Sequence, residues 1–507
     1  MSGACSVTPA PPGWLIVIVR GGAGTGTGFV SENNRFPHAG HPDGRRPASR
    51  LTGWWLAVLL LSAVPLSVPG PAKAETIDGA LARAYQNSPV INASRAGLRA
   101  TNENVPRALS GYRPRLEATA DIGSTWTESS LPGLPTNRTT RDPRGIGLEV
   151  MQNIFDSGRT SNSVRQAETQ VLAARLRLES TVQQTLFRGA EIYMNVLRDT
   201  AILNLQRNNV EVLDEQLRQS QDRFEVGEVT RTDVAQAESR LASARSQVSL
   251  AEANLRANIG RYRQIIGEEP RELGPGRAPD ALVPGDLDSA LSIGLSENPG
   301  ISASRFALDA AQLQVRVLES EFMPRVGVRG SVSHRYDGQR RGDRSTSASV
   351  VAQLTVPLYQ GGETSARVRQ AKESVSEARF ELEQAREEVR SSVITSWGAL
   401  EAARAQIMAA EIQVDAAETA LTGVREEARV GQRTTLDVLN AQQELLNARV
   451  NLITAQRDRI VGAYALVQAM GRLTPGQLGL PVAEYDSAEH YEQVRGRIWG
   501  TSTPSGD

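Results

Sequence analysis

The chain is written twice. At an offset of 210 residues, Asp78-Gly-Ala-Leu81 meets Asp288-Ser-Ala-Leu291, Ser88-Pro89 meets Asn298-Pro299, and Ile91-Asn-Ala-Ser-Arg95 meets Ile301-Ser-Ala-Ser-Arg305. The match ends at Pro114-Arg115 with Pro324-Arg325. Further on the offset is 204, where Phe155-Asp-Ser-Gly158 meets Tyr359-Gln-Gly-Gly362 and Val226-Gly-Glu-Val-Thr-Arg-Thr-Asp-Val234 meets Val430-Gly-Gln-Arg-Thr-Thr-Leu-Asp-Val438. Any fold for this chain must therefore supply each element twice. The change of offset places a length difference in the loop between the two blocks, where loops tolerate it.

Each repeat reads helix, strand pair, long helix, short turn, helix. The first helix spans about 77 to 110, and again 287 to 320, each ending before a Pro-Arg pair as proline enforces. Two alternating segments follow in each half. Leu116, Ala118, Ala120 and Ile122 share one face while Glu117, Thr119 and Asp121 share the other, and Ile146, Leu148 and Val150 oppose Gly147 and Glu149. Val326, Val328 and Val332 alternate with Arg325, Arg329 and Arg335, and Val350, Ala352, Leu354 and Val356 with Val351, Gln353 and Thr355. These are four strands of about 10 to 12 residues. Their pattern suits outer-membrane barrel strands, apolar outward and polar inward; it also suits a soluble hairpin laid on a helix. Four strands cannot close a barrel alone, because membrane barrels begin at about eight, so closure requires several chains. Trp126 and Tyr336 lie at equivalent repeat positions where each strand leaves the apolar band, as interfacial aromatics would.

From about Thr160 to Glu225, and from Glu363 to Arg429, proline is absent and glycine sparse. Each stretch predicts one helix on the order of 100 Å long. In the final helix Leu436, Leu439, Gln443, Leu446, Val450, Ile453, Arg457, Ile460, Tyr464 and Val467 step by threes and fours, which is coiled-coil spacing. Elsewhere the expected seam is small and polar: Ala235, Ser239, Ala242, Ser246 and Ser249. A second polar face fits either a water-filled lumen or a solvated two-helix coiled coil.

Composition removes several function classes. Aromatic residues are 5%, and 56 basic residues balance 57 acidic ones for a net charge of −1, so no global field attracts nucleic acid. The single cysteine, Cys5, and the scattered His38, His41, His334 and His490 offer no disulfide framework and no metal-ligand spacing. No cofactor or metal is expected. Glu387-Glu388 and Glu426-Glu427 read as charged helix surface, since no histidine, cysteine or metal-site companion accompanies them.

Arg45, Arg46 and Arg50 precede the apolar run from Leu51 to Val64, and Ala72-Lys73-Ala74 closes it with small residues at both cleavage-determining positions. This is the layout of a secretory signal, with a mature chain from Glu75. The Gly-rich stretch from Gly21 to Gly28 lacks the Lys-Ser/Thr of a phosphate loop. Beyond residue 75 no run of about 18 apolar residues occurs, which excludes membrane-spanning helices but not a membrane β-barrel. The organisation expected is a leader and signal at 1–74, a first repeat at 75–284, a second at 285–473 and a tail at 474–507.

With the duplicated helix, strand pair, long helix, Val-Gly turn and helix behind a secretory signal, residues 75–473 resemble the TolC family of outer-membrane export ducts. The most specific pieces are the two Val-Gly segments, extended to Asn440 in the second, and Pro357-Leu-Tyr-Gln-Gly-Gly362 at the strand-to-helix junction. The resemblance implies an α+β membrane protein: a homotrimer with a 12-strand barrel in the outer membrane on a long helical periplasmic tunnel. It also implies a periplasmic adaptor and an inner-membrane pump as partners, with export of drugs or of type I secreted proteins and no catalysis in the duct.

By motif position the resemblance implies that the turns form a closed periplasmic tip. Asp437 would supply an acidic ring there, and Asn440 stands where a second carboxylate is expected. Arg433 would hold a neighbouring helix pair, received by Thr232 and Asp233, although the tyrosine that would pair with Asp233 is Ala428 here. Gly227 and Gly431 permit the turns, and Arg231 and Thr435 are candidate adaptor contacts. Asp233 and Asp437 are equally placed to cap the helices that follow the turns. The competing reading of the whole chain is a periplasmic coiled-coil adaptor or scaffold, which would show one hairpin flanked by compact β domains.

Overall fold

The structure, a computed structural model, describes residues 74–504. The leader therefore lies outside the described residues. These described residues belong to one compact unit.

Helix α1 (Ile77–Asn87) starts under a Thr76 cap, whose side chain accepts from the Gly79 N–H at 3.2 Å. The single helix expected over 77–110 is instead three: α1, α2 (Pro89–Asn102) and α3 (Asn104–Leu109). Pro89 cannot donate a helical N–H and forces Ser88 into an extended conformation, so the chain breaks there and restarts with proline at the first helical position. The same break divides the second expected helix into α6 (Leu287–Glu297) and α7 (Pro299–Glu319), with Asn298 accepting from the Gly300 N–H at 2.8 Å.

After α3 come β1 (Arg115–Ile122), β2 (Thr125–Ser129), β3 (Asn137–Arg141) and β4 (Arg144–Phe155). Then follow α4 (Arg159–Glu225) and α5 (Arg231–Ile266). The second half runs through α6, α7, β5 (Arg325–Tyr336), β6 (Arg344–Thr355), α8 (Glu363–Arg429) and α9 (Thr435–Ala469). Both long helices have 67 residues, as the proline-free stretches predict.

Four strands make one antiparallel sheet in the order β1-β4-β5-β6. Sequence patterning accounts for these four. It misses the separate β2–β3 hairpin, which continues beyond them. Gly123-Ser124 and Asp142-Pro143 separate the two ladders: Pro143 has no N–H to give, and its carbonyl accepts from Gly123 at 2.9 Å. Trp126 consequently sits on β2 opposite Thr140, outside the main sheet, whereas Tyr336 ends β5 inside it.

The largest core lies where α1, α4, α5, α6, α8 and α9 meet. Leu81, Leu186 and Leu466 are fully buried there with Tyr193, Tyr262 and Tyr464. Tyr193 donates to the carbonyls of Glu75 and Gly274 through one hydroxyl, at 2.7 Å each, and pins the start of α1 to the α5–α6 connection. Gly471 adopts φ +82° beneath the Asn298-Pro299 break, where a Cβ would meet the Asn298 Cα at 2.7 Å. Only glycine fits that turn.

Away from this level the hairpins hold by narrow stripes. In α5 the buried stripe is Ala237, Leu241 and Ala244, two positions on from the expected seam. Ala235, Ser239, Ala242, Ser246 and Ser249 face outward from the chain instead. The tail docks on the body through Leu480 and through α10 (Glu489–Arg495), where buried His490 meets the Asn102 amide at 3.2 Å. Among the described residues no helix is long and apolar enough to cross a membrane.

Candidate functional site: the helical tip and the outward sheet

Both long hairpins end in the same local structure. Gly227 (φ +79°) and Gly431 (φ +80°) take the left-handed conformation that closes a helix. The Glu228 N–H then reaches the Arg223 carbonyl at 2.8 Å, and Gln432 reaches Glu427 at 2.9 Å. Each following helix opens with a reciprocal cap. The Thr230 N–H donates to Asp233 Oδ2 at 2.9 Å while Thr230 Oγ1 accepts from the Asp233 N–H at 3.3 Å. Thr434 and Asp437 repeat this at 3.0 and 3.2 Å. The capping role of both aspartates is thus present in the chain. In Asp437 both bonds from Thr434 use Oδ2, so the cap does not engage Oδ1.

These bonds hold both carboxyls below their ordinary value: at Asp437 chiefly the Thr434 N–H, then its hydroxyl, with Arg433 adding to it; at Asp233 chiefly the Thr230 hydroxyl, then its N–H. A depressed carboxyl contributes order that is present above its unfolded value, near 4, and is lost as pH falls through the lower folded value. Hydrogen exchange over 230–234 and 434–438 should therefore stay protected from pH 7 to about 4 and loosen only below. Loss of protection already between pH 7 and 5 would contradict the caps.

The other tip residues have the following partners within the single chain. Arg433 donates Nε to Glu427 Oε2 at 2.8 Å across its own turn, so within the chain it braces its own hairpin rather than a neighbouring helix pair. Asn440 accepts from Arg240 Nη2 at 2.8 Å, a bond from α5 to α9 that ties the two hairpins. Leu439, 2% exposed, packs with Leu213, Leu241 and Ala244 and joins them by apolar contact. Ala428 packs beside Leu421 and Val438. Arg231 and Thr232 are exposed at the start of α5, and Thr435 is half-buried.

Sequence reasoning misses Arg240, and misses Glu427 as the partner of Arg433. Arg240 lies one helical turn beyond Gln236, the counterpart of Asn440 at the 204 offset, so alignment of the repeats does not pair them. The glutamate pairs are surface groups as expected: Glu387 pairs with Arg390 and Glu426 with Arg429. Among the described residues no cluster could hold a metal ion.

The sheet has two unlike faces. Register sets Ala118 beside Leu148 and Leu148 beside Val332, then Val332 beside Ala348, an apolar row across all four strands. Leu116, Ile146 and Val350 extend it, and all three are exposed in the chain. The opposite face is polar and internally paired. Arg329 meets Glu149 at 3.1 Å, Arg335 meets Asp121 at 3.2 Å, and Ser331 meets Ser349 at 2.9 Å.

The family described as outer membrane efflux protein matches residues 80–268 and again 290–472. The chain belongs to that family. It is 39% identical over 452 residues to the outer membrane efflux protein BepC of Brucella suis, across 89% of this chain and 97% of the relative. It is 28% identical over 417 residues to the alkaline protease secretion protein AprF of Pseudomonas aeruginosa, across 80% and 86%. In fold it resembles the crystal structure of the CmeC outer membrane channel of Campylobacter jejuni, with a TM-score of 0.70 at 17% identity over 83% of this chain and 89% of that one. The TolC resemblance therefore holds. As a member of the efflux protein family the chain resides in the outer membrane with its helices in the periplasm, and serves as an exit duct. Its family is one of channels rather than enzymes.

Proposed function

We propose that three copies close into one continuous passage, a 12-strand barrel over a helical tunnel, that opens and shuts at the Val-Gly tips. The observation that carries this reading is a four-strand sheet with two open edges and one apolar face. Among the described residues β1 and β6 have no outer partner, and an exposed edge of this length invites pairing. β1 runs away from the helices and β6 back toward them, so β6 of one copy can pair antiparallel with β1 of the next. Outward-facing apolar residues on α8 supply a second contact: Phe380, Ile394, Met408 and Ile412 are 73%, 45%, 61% and 72% exposed in the single chain. The small residues from Ala235 to Ser249 on α5 allow a neighbouring helix to approach closely. The twofold family match supports the duplicated organisation.

In this reading Asp437 contributes the constriction ring, Arg231 and Thr435 meet a periplasmic adaptor, and an inner-membrane pump supplies cargo and energy. AprF is named for protease secretion and BepC for efflux, so either cargo class fits this duct. Conductance of the purified chain in planar lipid bilayers tests the proposal. Discrete, stable steps from a species that cross-links to a trimer are expected. A protein that stays soluble without detergent and gives no steps would instead leave the periplasmic scaffold reading.

A further inference from the structure

The apolar face of the sheet does not stay apolar to its far end. Its last register position sets Arg144 on β4 opposite Tyr336 on β5, and Tyr336 opposite Arg344 on β6. Period-two alternation puts these three on the face that carries Ile146, Val332 and Val350. Both guanidinium carbons lie 5.4 Å from the Tyr336 ring centroid. His334, one step inward on the same face, meets that ring edge-on at 4.7 Å and shares a 2.7 Å hydrogen bond with Thr346.

The arginines of the two faces differ in how their charge is met. On the polar face Arg329 and Arg335 each have a carboxylate partner. On the apolar face Arg144 and Arg344 are exposed and enter none of the ion pairs among the described residues. The acids of the adjoining loop are turned onto backbone: Asp337 accepts from the Gly342 N–H, and Asp343 accepts from the Gln339 and Arg340 N–H groups at 2.9 and 3.1 Å. Asp142, two residues before Arg144, is exposed and likewise enters no ion pair among the described residues, so two arginines without a carboxylate partner stand beside an aromatic ring at the upper border of an apolar surface.

The height of that border identifies what lies beside it. From Val326 to Tyr336 is ten residues at about 3.4 Å each, and a tilt of about 40° leaves a vertical rise of about 26 Å. The apolar band of an outer-membrane barrel is about 25 Å tall. Arg144, Tyr336 and Arg344 therefore stand at headgroup level on the side away from the periplasmic helices. We propose that they form a clamp for the phosphate of an anionic outer-leaflet lipid. The guanidiniums reach the phosphate from the two strands that flank β5, across the Tyr336 ring, with the donor groups that favour arginine for this group. The acyl chains descend along Ile146, Val332 and Val350. Contact with that surface is what selects a lipid over free phosphate. The proposal rests on the barrel reading above.

The test compares retention of diphosphoryl lipid A by the full chain in native mass spectra. Variants are Arg144→Gln with Arg344→Gln on the outward face, and Arg329→Gln with Arg335→Gln on the inward face, which make the same charge change. Conductance in phosphatidylcholine bilayers is recorded for each protein to score insertion separately. The outward pair should lower retention at least about tenfold, since each surface arginine near an anionic leaflet gives a several-fold gain. The inward pair should leave it unchanged. Equal retention by all proteins that conduct overturns the clamp while leaving the barrel intact. Displacement of lipid A by millimolar inorganic phosphate would show a free-anion site and overturn the lipid assignment. A wild-type chain that never conducts overturns the barrel and the clamp together.

Discussion

Leu148→Arg is expected to remove the chain from the outer membrane as a folded assembly, whereas Ser331→Arg is expected to insert and alter the current it carries. Leu148 lies at the middle of β4 between Ala118 and Val332, so its side chain belongs to the apolar row. An arginine at the midplane of a barrel's lipid face costs about 2–4 kcal/mol. In a three-copy barrel that penalty recurs in every copy, and the combined loss is comparable with the whole stability of an ordinary domain. Ser331 pairs with Glu149, the neighbour of Leu148, but faces the polar side, where its hydroxyl meets Ser349. An arginine there meets water and Glu149, so the expected change is in ion selectivity. The measurement is the fraction of heat-resistant oligomer in outer-membrane fractions, followed by reversal potentials in salt gradients. If both variants insert equally, or both fail equally, the two faces are wrongly assigned.

The elements that sequence made legible are those written by a long period or by a strong local stop. The 67-residue helices follow from the absence of proline, and the tip turns from Val-Gly followed by Thr-x-x-Asp. Four features are not legible in the sequence, each for a physical reason. The breaks at Pro89 and Pro299 were passed over because apolar periodicity continues through them, although proline removes the hydrogen bond that would carry the helix. The β2–β3 hairpin was hidden because Thr, Asn, Arg and Ser exposed on both sides write no alternation. The seam of α5 was displaced because Ala and Ser serve equally in a stripe facing the partner helix and in one facing outward. The Arg240–Asn440 bond is a meeting of two hairpins, and no local pattern encodes such a contact.

That bond shapes the second large effect, block of the duct by a trivalent cation at the tip. Asn440→Asp alone adds one negative charge per copy next to Arg240, whose guanidinium already lies 2.8 Å from the residue 440 side chain. The net gain at that level is one unit, and the new carboxylate would keep α5 tied to α9. Arg240→Gln alone also shifts the charge by one unit but loosens the tie, so it should raise the resting conductance where Asn440→Asp does not. The two together shift the charge by two units per copy, and three copies surround one axis in the proposed trimer. A trivalent ion about 6 Å from one carboxylate gains about 2 kcal/mol in water before screening, and salt roughly halves that. Even the two units of one copy should therefore lower the blocking concentration of the double variant on the order of ten- to a hundredfold below wild type. Each single variant should fall between. Asp437→Asn is the accompanying control: it removes the negative charge while leaving an amide oxygen to serve the cap, and should weaken the block in every background. Titrating the trivalent cation from the helical side of a planar bilayer reads all four. If Asp437→Asn leaves the blocking concentration where it was, the carboxylate is a cap and nothing more, and the constriction lies elsewhere along α9.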